Sequence, residues 1–289
     1  MSRGRPTPTD GVSIGLWTWG IIVFIFLFAP IITIVVYSFN AGRTLVVWDG
    51  FSLDPYVRAM ADPTMASSVL TSIKAALGSA AFAAVIGTLA GIAAARRPGK
   101  WAAVFLVVVT LVLITPEIVD AIALLIWFVR MGGPFGPDNQ FVDYGLMRLW
   151  FGHAIFSTAV VVLIVRARVS GMDESLEEAA ADLYAPPWRR FRQITLPLVF
   201  PAVMVGFLLS FSLSLDNTII SSFVSVAGST PWPVYVFSAV RGTLRPELAS
   251  MSTVMLLLTV LSLAAVGFVL RRGGGSSSEL TQALAGGKQ

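Results

Sequence analysis

Six long apolar runs constrain this chain more than any other feature of its sequence. A transmembrane helix needs roughly 17–25 predominantly apolar residues to cross a bilayer, and each run reaches that length with little or no charge. The runs cover residues 11–42, 75–95, 101–129, 149–165, 193–215 and 248–270. They predict an all-α membrane protein with six transmembrane helices.

The composition excludes several classes of protein. Of the 289 residues, 56% are hydrophobic and only 12% are charged, whereas a soluble domain carries about 25% charged residues. The chain has no cysteine and a single histidine, His153, so it offers no disulfide, no thiolate nucleophile and no histidine pair for a metal. Basic residues beside membrane helices explain the net charge of +4. We predict neither a nucleic-acid partner nor a cofactor bound by this chain.

The basic residues predict an orientation in the membrane. With six spans, more of the 20 lysines and arginines fall on the side that holds both termini. The pairs Arg96-Arg97 and Arg271-Arg272 lie directly at span ends, so the positive-inside rule places both termini in the cytoplasm. The predicted divisions are a flexible segment at 1–10, a transmembrane domain at 11–272 with a large cytoplasmic loop at 166–196, and a flexible tail at 273–289.

Residues 217–240 form a further uncharged stretch, which competes with the count of six spans. Gly228, Pro231 and Pro233 interrupt any helix there, and lipid would leave the exposed backbone polar groups without partners. We therefore predict a loop or a re-entrant segment at the outer surface, and the sequence leaves both possibilities open.

The loop at 166–196 concentrates charge in a chain that has little of it. Ser175 and Glu178 have the spacing of a capping box, which predicts a short helix from about 174 to 184 that Pro186-Pro187 would end. A second short helix is predicted at 188–192. The first would carry an apolar stripe at helical spacing, formed by Leu176, Ala179, Ala180 and Leu183. A helix this short does not stand alone in water, so the stripe predicts a partner surface.

This loop resembles the cytoplasmic motif of permease subunits of binding-protein-dependent ABC importers. In that family the motif reads E-A-A, three residues, G, nine residues and I-x-L-P. The chain has Glu178-Ala179-Ala180, then Tyr184 in the glycine position, then Ile194-Thr195-Leu196-Pro197. The resemblance implies a MetI-like permease fold whose loop docks on a separate ATPase. The ATPase-coupling residues that it implies are Glu178, Ala179, Ala180, Leu183, Tyr184, Ile194, Leu196 and Pro197.

Two more segments, 115–125 and 210–225, are similar to the spermidine/putrescine branch of that family. The resemblance implies a subunit of the inner membrane that forms half of a pathway for a polyamine. Its implied partners are a second, distinct permease subunit, a cytoplasmic ATPase dimer that uses ATP and Mg²⁺, and an extracytoplasmic substrate-binding protein. Permeases of the family for other small ligands, such as a phosphonate, a sugar or iron, remain an alternative.

Three carboxylates fall within or at the end of predicted spans. Glu117 and Asp120 are spaced i, i+3 and so share one helix face, and Asp216 ends the fifth run. A charge at membrane depth costs at least about 2.5–3.5 kcal/mol on insertion scales, so we predict that these residues line a path for a cationic amine. Alternatively, Glu117 lies at an outer rim, or each acid pairs with a basic group on a partner chain. We predict that His153 is a hydrogen-bonded interfacial residue.

Other functions fit the sequence less well. A self-contained, proton-coupled transporter of small cations could use the same three acids as relays, but it would need inverted repeats, and we find none. One histidine without a cysteine argues against a membrane hydrolase. The sequence contains no GxxxxGK[ST] phosphate-binding loop, so we predict a non-catalytic subunit. Gly87 and Gly91 form a GxxxG motif that could mediate dimerisation.

Overall fold

The computed structural model describes residues 11–132, 135–137, 143–242 and 244–272. The predicted flexible segments at 1–10 and 273–289 lie outside the described residues. The described chain is helical, as the apolar runs predict, and its one isolated β-bridge joins Asn40 to Phe51.

Five of the helical segments are long and apolar enough to cross a membrane, and a bent pair of helices passes the same test jointly. Counting the pair as one span gives the predicted six. The spanning helices are α1 (Gly11–Tyr37), α3 (Pro63–Arg96), the pair α4 (Lys100–Ile114) and α5 (Glu117–Met131), α6 (Tyr144–Ser170), α9 (Leu196–Leu215) and α12 (Pro246–Arg272). The short helices are α2 (Asp54–Ala61), α7 (Ser175–Asp182), α8 (Pro187–Arg190), α10 (Ile219–Val224) and α11 (Trp232–Ala239).

The third span, predicted over 101–129, is interrupted at Pro116, where a proline is expected to open a helix. It breaks at Thr115 and Pro116, where α4 and α5 meet at 103°. Proline disfavours the helical conformation in the residue before it, and Thr115 is extended, with ψ 131°. The chain re-enters a helix at Glu117. The break therefore sets both predicted acids of this span in the first turn of a new helix.

The stretch 217–240, predicted as a loop or a re-entrant segment, contains the two short helices α10 and α11. These helices have six and eight residues, too few to cross a bilayer. Gly228 lies between them with φ +90°, a conformation that favours glycine.

Helix α6 organises the larger of two compact units, which comprises Thr64–Arg241 and Met255 onward. It packs against α4, α9 and α10. The GxxxG motif of α3 also faces α6, since a Cβ at Gly87 would lie 2.7 Å from the Val161 Cβ and one at Gly91 would lie 2.9 Å from a backbone oxygen of α6. These glycines therefore serve close packing within the chain.

The smaller unit joins the described residues from 11 to 63 with those of the segment Gly242–Val254. Its loop after α1 is organised by Asn40, whose side chain bonds to four backbone groups at Gly42, Thr44, Val47 and Asp49. Arg58 of α2 forms an ion pair of 2.6 Å with Glu247 of α12. The side chains of α1 are largely exposed, as expected of a helix that faces lipid or another chain.

Candidate translocation cleft and coupling surface

The three predicted acids meet in one cleft of the larger unit. The cleft has a volume of about 470 Å³, within the roughly 300–1,000 Å³ typical of small-molecule sites. Glu117 and Asp120 enter it from the first turn of α5, and Asp216 enters from the residue that follows α9. Its apolar wall is formed by Leu124, Ile155, Phe156, Leu213, Ile219 and Ile220. The break at Pro116 precedes this arrangement, and α5 packs after it against α10, which follows Asp216 in the chain.

The electrostatic character of the cleft is acidic. Its lining includes the three carboxylates and His153 but no lysine or arginine. Among the described residues, no basic side chain forms an ion pair with Glu117, Asp120 or Asp216. The alternative that each acid pairs with a basic group on a partner chain stays a prediction. Such a cleft favours a ligand that brings its own positive charge.

Asn217 is a cleft residue that the sequence analysis did not single out. Its side-chain amide donates a hydrogen bond to Oε1 of Glu117. Its carbonyl oxygen accepts from the backbone N–H of Ile220 at 3.1 Å and of Ser221 at 3.4 Å, two of the groups that the first turn of α10 leaves unpaired. Asn217 thus joins the start of α5 to the start of α10. Its place beside Asp216, in an otherwise uncharged stretch, was the available signal.

His153 is buried in the cleft wall, so its predicted interfacial position is wrong. Helix α6 starts at Tyr144, capped by Asp143, and His153 therefore lies more than two turns inside it. Its two ring nitrogens lie 2.6 Å from Ser214 Oγ and 2.9 Å from Ser221 Oγ. The predicted hydrogen bonding is present, and it ties α6 to α9 and α10.

The predicted short helix of the 166–196 loop is present as α7, eight residues long. The predicted capping box is not formed, because Ser175 is the first residue of the helix and not its N-cap. The N-cap residue is Glu174, whose side chain caps no backbone N–H. Asp173 instead accepts a hydrogen bond of 2.9 Å from the Ser175 N–H. This bond, together with the Ser175 hydroxyl, lowers the pKa of Asp173 below its ordinary value.

Tyr184 keeps the turn that glycine makes in the resembled motif. Its φ is +57°, in the left-handed region that costs an L-residue about 1–2 kcal/mol. The Tyr184 N–H donates to Ala181 O at 2.9 Å, and the Ala185 N–H donates to Ala180 O at 3.0 Å. This is the hydrogen-bond pattern of a Schellman motif, and the exposed tyrosine completes it at the end of α7.

The large apolar side chains of α7, of α8 and of the turn between them are exposed. The exposed fractions are 49% for Leu176, 82% for Leu183, 94% for Tyr184 and 69% for Trp188. We call the coupling surface the exposed set Leu176, Glu178, Ala179, Leu183, Tyr184 and Trp188. Of the other predicted coupling residues, Pro197 is exposed, while Ala180, Ile194 and Leu196 are half-buried. Exposed apolar groups on a short helix are typical of a docking site.

The chain enters α9 through a helical stretch of unusual winding. Helix α8 begins at Pro187, where proline suits a helix start, and it continues into a π-helical turn at Phe191–Thr195. The predicted second short helix is therefore present and continuous with the fifth span. Among the described residues, no group of three or more histidine or acidic side chains could hold a metal ion.

Comparison with known proteins adds an independent line of evidence. Residues 85–273 match the family described as binding-protein-dependent transport system inner membrane component. The putrescine transport system permease protein PotI of Escherichia coli (strain K12) is 37% identical over 244 residues, which cover 82% of this chain and 85% of that protein. The spermidine/putrescine transport system permease protein PotC of the same strain is 32% identical over 249 residues, covering 86% and 91%.

The fold also occurs in a solved transporter. A chain in the crystal structure of a bacterial ABC transporter involved in the import of the acidic polysaccharide alginate superposes with a TM-score of 0.68. The superposition covers 91% of this chain and 95% of that chain at 14% identity. At such identity the likeness concerns the fold alone.

Proposed function

Since this chain belongs to the family of binding-protein-dependent transport system inner membrane components, we propose that it is a permease subunit for uptake of putrescine or spermidine. It is an all-α inner-membrane protein with the fold of ABC importer permeases. In this proposal it forms half of the translocation pathway. The relatives PotI and PotC carry polyamine transport in their names, which supports this choice of substrate over a phosphonate, a sugar or iron.

The acidic cleft is the observation that carries the proposal. A polyamine bears ammonium groups separated by short apolar chains, so it needs carboxylates in an otherwise apolar site. The cleft combines Glu117, Asp120 and Asp216 with an apolar wall. Asp120 and Asp216 have no ion-pair partner among the described residues, which leaves their charge available to a cationic ligand.

The coupling surface supports an external source of energy. The sequence has no GxxxxGK[ST] loop, so ATP and Mg²⁺ are used by a partner ATPase in this proposal. That ATPase docks on α7 and α8 from the cytoplasm, where both termini also lie. A second, distinct permease subunit completes the pathway, and an extracytoplasmic binding protein delivers the substrate. The coupling residues are those of the motif, from Glu178 to Pro197.

The substrate site is tested by uptake of radiolabelled putrescine into proteoliposomes that contain the complete transporter. Asp120→Asn and Asp216→Asn each remove one charge that would contact an ammonium group. We expect each to lower the rate of putrescine uptake at least about tenfold, because hydrogen bonds to charged groups contribute about 1.5–3 kcal/mol. Asp54→Asn removes an exposed carboxylate from α2 and serves as the control. Unchanged uptake by both cleft variants would refute the substrate site.

The same vesicles test the competing functions. Uptake that stops without ATP and survives a protonophore supports the importer. Uptake that survives ATP removal but collapses with the protonophore identifies a proton-coupled transporter instead. Competition by a phosphonate, a sugar or an iron chelate, with none by spermidine, would overturn the polyamine assignment.

ATPase docking is tested by Glu178→Lys. Glu178 is exposed on α7, and reversal of its charge is expected to abolish both ATPase co-purification and uptake. Asp54→Lys makes the same charge change on α2 and is expected to alter neither. Normal co-purification of the ATPase with the Glu178 variant would contradict the docking assignment.

A further inference from the structure

Arg96, the last residue of α3, links that helix to the coupling helix α7. One terminal guanidinium nitrogen lies 2.7 Å from Glu174 Oε1, and the other lies 2.9 Å from Glu177 Oε1. The Arg96 side chain is only 17% exposed and that of Glu177 only 25%, whereas Glu174 is 68% exposed. The Arg96–Glu177 contact is thus the better shielded of the two, and screening by solvent and salt weakens it less.

Glu177 has a second partner that extends the link. The hydroxyl of Thr195 donates to the same Oε1 at 2.8 Å. Thr195 is 5% exposed and ends the π-helical turn that leads into α9. One carboxylate oxygen therefore holds together the end of α3, the coupling helix and the start of α9.

Helix α7 has little else to fix its orientation. None of its residues is buried, and eight residues are too few for an isolated helix to persist in water. Among the described elements, its more extensive contacts are with α8 and the π-helical turn of the same loop. Within the described part of the chain, the ion pair with Arg96 connects α7 to the membrane helix α3.

We propose that Arg96 and Glu177 are positioning residues that pass movement of the coupling helix to α3 and α9 together. The inference rests on the proposed function, in which the ATPase docks on α7. Glu177 has its carboxylate turned inward to Arg96 and Thr195, while the neighbouring Glu178 is exposed on the coupling surface. The two adjacent glutamates thus have different roles: Glu178 contacts the ATPase, and Glu177 holds the helix to the membrane domain.

The test measures putrescine uptake and ATP hydrolysis on the same proteoliposomes, with the chain in its complete transporter. Arg96→Gln and Glu177→Gln each break the link and leave the coupling surface intact. We expect the ATPase to co-purify normally, while the amount of putrescine moved per ATP falls at least about fivefold, the lower end of measured coupling between sites. The double variant should lose less than the product of the two single losses, because both single variants remove the shared Arg96–Glu177 interaction.

Arg97→Gln is the matched control, since Arg97 is the exposed neighbour of Arg96 and carries the same charge. It should leave the ratio of uptake to hydrolysis unchanged. Thr195→Val is a nearly isosteric variant that removes only the hydroxyl, and it should lower the ratio by less than the loss of Glu177 does. It addresses the link in a chain that retains the ion pair and so remains informative if the charge variants assemble poorly.

The inference is overturned if uptake and hydrolysis fall in equal proportion, or if the losses of the two single variants multiply in the double variant. These outcomes leave the proposed function standing when the unmodified transporter shows ATP-dependent uptake. Uptake by the unmodified chain without any ATPase would overturn both the proposed function and this inference.

Discussion

Replacement of Tyr184 by glycine separates the backbone strain of the turn after α7 from any contact that the tyrosine ring makes. Tyr184 has φ +57°, which costs an L-residue about 1–2 kcal/mol, whereas glycine adopts it freely but loses about 0.5–1 kcal/mol through its greater freedom in the unfolded chain. The tyrosine side chain is 94% exposed, so no internal packing is lost. We expect Tyr184→Gly to stabilise the turn by about 0.5–1 kcal/mol.

Hydrogen exchange followed by mass spectrometry measures this gain. The amides of residues 184 and 185 donate to Ala181 O and Ala180 O, and their protection should rise about two- to fivefold for that free energy. Tyr184→Ala removes the same ring but keeps a Cβ, so its turn should exchange no more slowly than the original. Equal protection of the glycine and alanine variants would refute the argument from strain. If the ring also contacts the ATPase, both variants bind it more weakly.

Three further predictions concern packing, the cleft and pH. Gly87→Ala places a Cβ 2.7 Å from that of Val161 and should cost about 1–3 kcal/mol, seen as a lower Tm in detergent; Gly20→Ala, with open space around it, should not lower the Tm. Asn217→Ala unpairs the start of α10 and should cost about 1–3 kcal/mol in the exchange protection of that helix; equal protection would contradict its assigned role. The pKa of Asp173 is lowered, so its hydrogen bond to Ser175 stabilises the turn fully above the ordinary carboxyl pKa. This stabilisation is lost as the pH falls through the lowered pKa. The NMR shift of the Ser175 amide should therefore titrate in acid, and Asp173→Ala should abolish that titration.

The spans were predictable because lipid imposes one simple requirement on length and polarity. Apolar runs locate the membrane helices, but they do not locate their ends, since a helix continues beyond the hydrocarbon wherever its backbone is paired. Helix α6 thus starts at Tyr144, earlier than the predicted 149, and this extension moves His153 from an expected interface to a buried position.

The break in the third span was visible only in part. Pro116 indicates that the helix is perturbed, but the 103° angle depends on what α5 meets after the break. Helix α5 packs against α10, a short helix that the prediction of a loop or re-entrant segment at 217–240 did not locate. Asn217 connects the two through Glu117, a contact between residues far apart in sequence that no local pattern could indicate.

The coupling segment was predicted better than the contacts that hold it. Several of its motif residues are exposed, whereas Ala180, Ile194 and Leu196 are half-buried. The ion pair between Arg96 and Glu177 joins two helix ends that only the folded chain brings together. Arg96 was explained from the sequence as a positive charge beside a membrane span, and that explanation hid its specific role.

Helix α9 connects the coupling segment to the cleft. Its 20 residues extend about 30 Å at 1.5 Å per residue, which matches the thickness of the hydrocarbon core. Thr195, bonded to Glu177, immediately precedes it, and Ser214 near its other end bonds to His153 in the cleft wall. Helix α6 packs along α9, where Gly206 lets Val161 approach closely. Under the proposed function, a push on α7 therefore reaches the cleft through one packed helix pair and requires no separate relay.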